Sequence, residues 1–231
     1  MEPNVTVLVV DDEEDVVDLM RDFLEAEGYT VRAASTGEDA LAIVEREPVD
    51  CVLLDIMMPG ISGFDVLRQL RKHSDIPVLF LSARQEDSDK IRGLGLGGDD
   101  YIVKSSTPGE IVARVKAVMR RTNRGASDAG HILDYGRLKI DPKAREIWVD
   151  GEPVSLTARE FDLLQMFAEH PRQVLTRDML FESLWGPYGD RHSLTVHVGR
   201  LREKIEEDPS NPTYIVTVWG VGYRFEGTRR T

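Results

Sequence analysis

Val5-Thr6-Val7-Leu8-Val9-Val10-Asp11-Asp12-Glu13-Glu14 is the stretch that decides the fold. Six apolar or β-branched residues run without alternation and stop at four acids. An unbroken run of this kind reads as a strand buried on both faces, the habit of parallel sheets. Behind the acids, Val16, Val17, Leu19, Met20, Phe23 and Leu24 recur at helical spacing, and Gly28 ends the helix. The same grammar returns four more times. Residues 29–33, 51–54, 77–81 and 100–103 read as strands, and 37–46, 64–72, 87–96 and 108–121 as helices. Five strand–helix units predict the α/β class: a doubly wound, flavodoxin-like, five-stranded parallel sheet with helices on both faces.

Outward from this block the grammar changes. Residues 123–130 (Asn123-Arg124-Gly125-Ala126-Ser127-Asp128-Ala129-Gly130) are small and polar without apolar periodicity. They predict a first domain over 1–122, a linker over 123–131 and a second domain over 132–231. The second domain opens with short strands at 132–135, 138–141 and 147–149, separated by the turn signals Asp141-Pro142 and Asp150-Gly151. Helices follow at 157–170, 176–185 and 193–205, and Thr157 with Glu160 has capping-box spacing. The end, 214–225, reads as a β-hairpin. Two helices joined by 186–192 make a helix-turn-helix with a long turn, within a small α+β domain.

Composition sets outer limits. The chain has 231 residues, 41% of them hydrophobic and 30% charged, and one cysteine, Cys51. That excludes a disulfide scaffold and cysteine-rich zinc modules. No apolar run approaches the ~18 residues of a membrane span. The first residues lack a basic region followed by a long apolar stretch, so a cytoplasmic protein without a membrane partner is expected. The net charge of -12 is unevenly spread. Residues 1–124 hold 15 Lys and Arg against 24 Asp and Glu; residues 125–231 hold 14 against 17. Within the second domain, Arg191, Arg200, Arg202 and Lys204 face only Glu203 in the span 191–204. Phosphates respond to such a local stripe, because charges beyond a Debye length of ~8–10 Å are screened.

In a doubly wound sheet, chemistry sits beyond the carboxyl ends of the strands. There the strands end in Asp11-Asp12, Asp55, Ser82 and Lys104. Clustered carboxylates repel one another unless a cation is present, and an all-oxygen set of this size suits Mg²⁺. A carboxylate beside Mg²⁺ and a lysine is an acceptor for a phosphoryl group, whose oxygens the two cations neutralise. Glu13 and Glu14 read more simply as acids at a helix start. The glycine run 93–98 closes a helix instead of opening one, so it reads as a helix end and not a nucleotide loop. His73, His131 and His170 are isolated and read as surface residues.

Val9-Val10-Asp11-Asp12-Glu13, Leu54-Asp55-Ile56-Met57-Met58-Pro59-Gly60, Leu81-Ser82-Ala83 and Gly98-Asp99-Asp100-Tyr101-Ile102-Val103-Lys104 resemble the receiver domain of bacterial two-component response regulators. The resemblance implies Asp55 as phosphoacceptor. It implies Mg²⁺ on Asp12, Asp55 and the Met57 carbonyl, with Asp11 acting largely through water. It also implies Ser82 and Tyr101 as a switch pair and Lys104 on the phosphoryl group. One departure stands out. The family carries Pro-Phe after this lysine, where this chain has Ser105-Ser106. A cis bond before Ser costs ~2.5–4 kcal/mol against ~0.5–1 before Pro. Lys104–Ser105 is therefore expected trans, with Lys104 off the acidic pocket. A receiver working through protein contacts without phosphorylation stays open as an alternative. A haloacid-dehalogenase-type hydrolase needs a second Asp two residues after the nucleophile, and position 57 is Met.

Leu194, Val198, Leu201 and Ile205 form the inward stripe of the last helix, leaving polar residues to face out. An exposed Arg-bearing helix suits the major groove. Leu156-Thr157-Ala158-Arg159-Glu160-Phe161, Val196-His197-Val198-Gly199-Arg200-Leu201-Arg202-Glu203-Lys204 and Thr217-Val218-Trp219-Gly220-Val221-Gly222-Tyr223 resemble the winged-helix effector of OmpR/PhoB-type transcription factors. The resemblance implies Thr195, His197, Arg200 and Arg202 as DNA contacts, joined by the flanking cations Arg191 and Lys204. Trp219 is expected to pack in the core or wing. It further implies a phosphorylation-dependent homodimer paired as Lys90 with Glu110, Asp100 with Arg114 and Asp99 with Arg121, around Ile91, Leu94 and Ile111. A sensor histidine kinase, double-stranded promoter DNA and RNA polymerase are the implied partners. The receiver's own Mg²⁺-dependent phosphorylation and dephosphorylation is the only chemistry implied.

Overall fold

A computed structural model describes residues 5–83, 87–122, 132–186 and 191–230. The linker expected at 123–131 and His131 lie outside the described residues, as do the side chains of Arg121 and Arg191. The first domain alternates β1 (Thr6–Val10), α1 (Glu14–Ala26), β2 (Thr30–Ala34), α2 (Gly37–Arg46), β3 (Cys51–Asp55), α3 (Gly63–Leu70), β4 (Val78–Ser82), α4 (Asp87–Gly95), β5 (Asp100–Val103) and α5 (Pro108–Thr122). All its strands pair in parallel, in the order β2-β1-β3-β4-β5. The strands alternate sides. Val7 and Val9 join Met20, Leu24, Ile111 and Val115 in one core layer, and Leu8 and Val10 join Phe64, Leu67 and Phe80 in the other. The acids at the ends of β1 and β3 are thereby brought side by side, since Val10 is in register with Leu54.

The second domain begins with an antiparallel sheet of β6 (Leu133–Asp134), β7 (Leu138–Asp141), β8 (Glu146–Val149) and β9 (Glu152–Val154). Then come α6 (Ala158–Glu169), β10 (Val174–Thr176), α7 (Arg177–Trp185), α8 (Arg191–Ile205), β11 (Ile215–Val218) and β12 (Gly222–Phe225). The hairpin β11–β12 takes β10 as a third strand, in the order β10-β12-β11. The sequence pattern gives no sign of β9 and β10, which have three residues each and alternate too briefly to register. Thr157 and Glu160 form the expected reciprocal cap of α6. Phe161, Leu164, Phe167, Leu180, Leu201 and Phe225 lie in one core. Between domains, α4 packs against α8, and α5 against α6 and α7. No helix among the described residues is long and apolar enough to cross a membrane.

Candidate functional site: an acidic pocket and a covered helix

The ends of β1, β3 and β4 deliver Asp11, Asp55 and Ser82, all buried, to one edge of the sheet. Asp12 beside them is exposed. Oxygens of Asp11, Asp12 and Asp55 lie within 4.8 Å of one another. Lys104, directly after β5, reaches into this cluster. Its Nζ donates to Asp11 Oδ1 at 3.0 Å, to Asp55 Oδ2 at 3.0 Å and to Glu13 Oε1 at 2.8 Å. Burial alone would lower the lysine's pKa, but these three carboxylates outweigh it and raise the pKa above the usual lysine value. Burial pushes the Asp11 carboxyl up, against the pull of Lys104. Below the pocket, the Met57 amide donates to Asp55 Oδ1 at 3.2 Å and shapes the loop after β3. A side chain at Gly63 would place Cβ only 2.2 Å from the Asp55 carbonyl oxygen, so α3 can start here only with glycine.

Two expectations about Lys104 separate. No described peptide bond is cis, so Lys104–Ser105 is trans as expected. Yet Lys104 lies in the pocket, not off it. The reason is a backbone that needs no proline: Lys104 N donates across to the Ser82 carbonyl of β4 at 2.7 Å, and the turn that follows closes through Ser106 N on the Val103 carbonyl at 2.9 Å. Glu13, read as a plain helix-start acid, turns out to be the lysine's third partner. Ser82 and Tyr101 are both buried, and the Tyr101 ring lies 6.3 Å from that of Phe80.

The second constellation differs from its sequence reading. Thr195 is exposed as expected, but His197 is fully buried, 5.4 Å from the Trp185 ring. Burial, with Arg159 nearby, pushes the His197 pKa down to about 3. Arg200 Nη1 donates across the domain boundary to the carbonyls of Leu94 (3.1 Å) and Gly95 (2.7 Å). Its Nε pairs with Glu160 Oε1 at 3.0 Å. Arg202 turns back to the Ile215 carbonyl and Thr217 Oγ1, and Lys204 to Glu160 Oε2 and the Ser155 carbonyl. Arg200, Arg202 and Lys204 are thus taken up by the first domain and by the effector's own acceptors. Trp219, expected in the core or wing packing, is instead 89% exposed at the hairpin tip.

Several residues expected across a dimer axis have partners within this chain. Arg114 bonds Asp100 (3.1 Å) and Glu110 (2.9 Å) within its own chain, and Asp99 pairs with Arg71 at 3.1 Å. Leu94, Asp99, Asp100, Ile111 and Arg114 are buried, whereas Ile91 remains exposed. Asp99, just before β5, also bridges the domains. Its Oδ1 accepts from Arg159 N at 3.2 Å and its carbonyl from Trp185 Nε1 at 3.2 Å. Nothing in the sequence marks Asp99 or Arg159 as domain contacts.

Family models for a response regulator receiver domain and for the C-terminal domain of transcriptional regulatory proteins match residues 7–116 and 151–225. The transcriptional regulatory protein YvrH of Bacillus subtilis is 44% identical over 96% of this chain and 95% of its own length. The sensory transduction protein RegX3 of Mycolicibacterium smegmatis is 44% identical over 96% of this chain and 99% of its own. This chain belongs to the OmpR/PhoB family of response regulators. Among solved structures, the OmpR/PhoB homologue DrrB of Thermotoga maritima is 32% identical, with a TM-score of 0.53 over 96% of this chain and 99% of its own. A RitR mutant, 24% identical, shares the fold at a TM-score of 0.80 over 97% of this chain and 100% of its own. The regulator therefore couples a receiver to a DNA-binding domain in two-component control of transcription.

Proposed function

We propose that a sensor histidine kinase passes a phosphoryl group to Asp55 of this regulator, and that the phosphorylated chain dimerises and binds promoter DNA through α8. The observation that carries the first step is the convergence of Asp11, Asp12, Asp55 and Lys104 on one sheet edge. The donor set fits Mg²⁺: three carboxylates in reach of one another, one of them open to solvent, where a small hard cation can keep its waters. Asp11, Asp12, Asp55 and the Met57 carbonyl would hold it. Once bound, it would supply charge neutralisation of the transferred oxygens.

This chain's own groups do the rest. Asp55 Oδ attacks phosphorus as the donor's nitrogen–phosphorus bond breaks and an oxygen–phosphorus bond forms. Lys104 already lies 3.0 Å from Asp55 Oδ2, where a phosphoryl oxygen needs a cation. Ser82 and Tyr101 are the switch pair, the hydroxyl following the new phosphate and the ring following the hydroxyl. The domain limits are 1–122, 123–131 and 132–231, and a DNA-bound role places the chain in the cytoplasm. Mass spectrometry after incubation with acetyl phosphate and Mg²⁺ tests the assignment. Wild type should gain one acid-labile phosphoryl mass and Asp55→Asn none; an equal gain in both would overturn it.

A further inference from the structure

Glu13 stands just before α1, at the position that caps a helix. That position favours Ser, Thr, Asp or Asn, whose short side chains reach the first free amides. Helices α2, α3, α6 and α7 follow the rule, with Thr36, Ser62, Thr157 and Thr176 each accepting from an amide of the first turn. Glu13 does not. Its side chain makes no cap bond and turns instead to Lys104, with Oε1 2.8 Å from Nζ. Its backbone is fixed for this use, since Glu13 N donates to Asp11 Oδ1 at 3.0 Å.

Lys104 needs such a hold. Its amide is anchored on the Ser82 carbonyl, but its ammonium rides on a flexible four-carbon stem. At the next position the chain has Ser105, where a proline would restrict the backbone of residue 104. Of the three carboxylates on the ammonium, Asp11 and Asp55 belong to the cluster that fits Mg²⁺. Those two cannot give their full charge to a divalent cation and to an ammonium at once. Glu13 is outside that cluster, and its side chain is 63% exposed, so its charge stays available to Lys104. The grip does not draw the lysine off the acceptor either, because the same Nζ lies 3.0 Å from Asp55 Oδ2.

We infer that Glu13 is a positioning residue for phosphoryl transfer: it keeps Lys104 over Asp55 while Asp11 and Asp55 are engaged by the metal, and it does so in place of capping α1. The inference rests on the reading of Asp55 as the phosphoacceptor. Glu13 acts only through the lysine. Helix stability and placement of the ammonium are therefore set against each other at one residue, and a substitution that improves the cap should harm the chemistry.

The test uses the full-length chain as wild type, Glu13→Gln, Glu13→Ser, Glu14→Gln, Lys104→Met and Glu13→Gln with Lys104→Met. Intact mass follows phosphoryl uptake from acetyl phosphate at saturating Mg²⁺. Glu13→Gln should slow uptake roughly 2- to 5-fold, the span that one exposed ion pair gives. Loss of a negative charge should by itself favour an anionic donor, so slowing cannot come from the change of net charge. Glu14→Gln makes that same change one residue on and should not slow uptake. On top of Lys104→Met, Glu13→Gln should add nothing. Glu13→Ser supplies a cap, so it should slow uptake while keeping or raising the thermal midpoint.

A second readout needs no turnover. In chains carrying lysine labelled with carbon-13 at Cε, the Lys104 resonance is assigned by its loss in Lys104→Met. With Mg²⁺ and no phosphoryl donor, it should stand apart from the exposed lysines in wild type and join them in Glu13→Gln. Uptake in Glu13→Gln as fast as in wild type, equal slowing in the Lys104→Met background, or an unmoved Lys104 resonance overturns the positioning role. A thermal midpoint that falls along with the rate in Glu13→Ser overturns it too, since that is the mark of a residue needed for folding. Wild type without any uptake would remove the acceptor reading, and this inference with it; normal wild-type uptake with no effect of Glu13 removes this inference alone.

Discussion

The acidic pocket and α8 carry the two halves of this regulator's function, and the sequence treats them unequally. In the pocket, Lys104 meets Asp11, a residue 93 positions away. On α8, Arg200 meets the carbonyl of Leu94, 106 positions away. Distance along the chain is not the difference. The pocket is assembled by strand order, a rule that periodicity reveals, so each strand end has a forecast place. The cover on α8 comes from two complete domains meeting face to face, and no periodic signal in either announces it. A site made by topology is legible; the accessibility of a site is not.

The largest break in this comparison is Asp55→Asn. Phosphoryl uptake from acetyl phosphate should vanish, read by intact mass. Phosphate-dependent binding to duplex DNA should vanish with it. DNA binding that is equal in treated and untreated wild type would show that the regulator acts without phosphorylation.

Lys104→Met comes next. Its ammonium is the only cation within reach of Asp55 among the described residues, and removing one such donor typically slows the chemical step by about 10²–10³-fold. The effect on Mg²⁺ should have the opposite sign. Lys104 neutralises Asp11 and Asp55, and without it the clustered carboxylates should bind the cation more tightly. Calorimetric Mg²⁺ titration and rate measurement on the same variant check both. Ser105→Pro, which the missing proline marks as a gain, should leave the rate unchanged because Lys104 is already placed. A rate that climbs in Ser105→Pro would show that the turn at 103–106 misplaces the lysine in solution.

Legibility followed the same division at finer grain. The five parallel strands and the three carboxylates are readable because short apolar runs recur between helical periods and two of the runs stop at acids. The proline rule misplaces Lys104 because the turn after it closes without proline, through Ser106 N on the Val103 carbonyl. Leu194, Val198, Leu201 and Ile205 were readable as the inward stripe by period alone, and they are buried. His197 lies on a flank of that stripe, where the resemblance puts it on the DNA side. The same helical wheel fits either answer until the receiver is placed on it. Trp219 erred the other way: its size suggested packing, but the hairpin turn holds it clear of both sheet and helices.

A medium effect sits inside the effector. Glu160 is fully buried. Lys204 and Arg200, aided by the Thr157 amide, outweigh its burial and hold its carboxyl below the usual range. Glu160→Gln keeps a bond to Thr157 but leaves two cations short of their counter-charge. It should lower stability by about 1–3 kcal/mol. The thermal midpoint of the full chain checks this. An unchanged midpoint would show that Arg200 and Lys204 find full counter-charge without Glu160.

The smallest expected effect is with pH between 7.5 and 5.5, and its sign is specific. In the closed state, with the two domains packed together, burial holds the His197 pKa at about 3, well below the ordinary 6.5, so the ring is neutral. Opening returns it to water, where it binds a proton below its ordinary value. The closed state therefore keeps its full stability above pH ~6.5 and loses it as pH falls, by about 1.4 kcal/mol for each unit below that value. The loss continues down to the closed-state value near 3. Arg159 and Arg200 add to the penalty for a charged ring, while Glu160 opposes it. Asp99 and Asp100, pushed up by burial, titrate with the opposite sign and would favour closure in acid. His197→Gln separates the two contributions, since it removes the imidazole and leaves both carboxyls. The Trp185 indole N–H resonance, bonded to the Asp99 carbonyl, reports closure directly. Between pH 7.5 and 5.5 that resonance should move toward its open position in wild type and hold still, or move slightly the other way, in His197→Gln. Identical pH profiles in the two chains would show that His197 does not become more basic when the domains part, and that its burial belongs to the effector core alone.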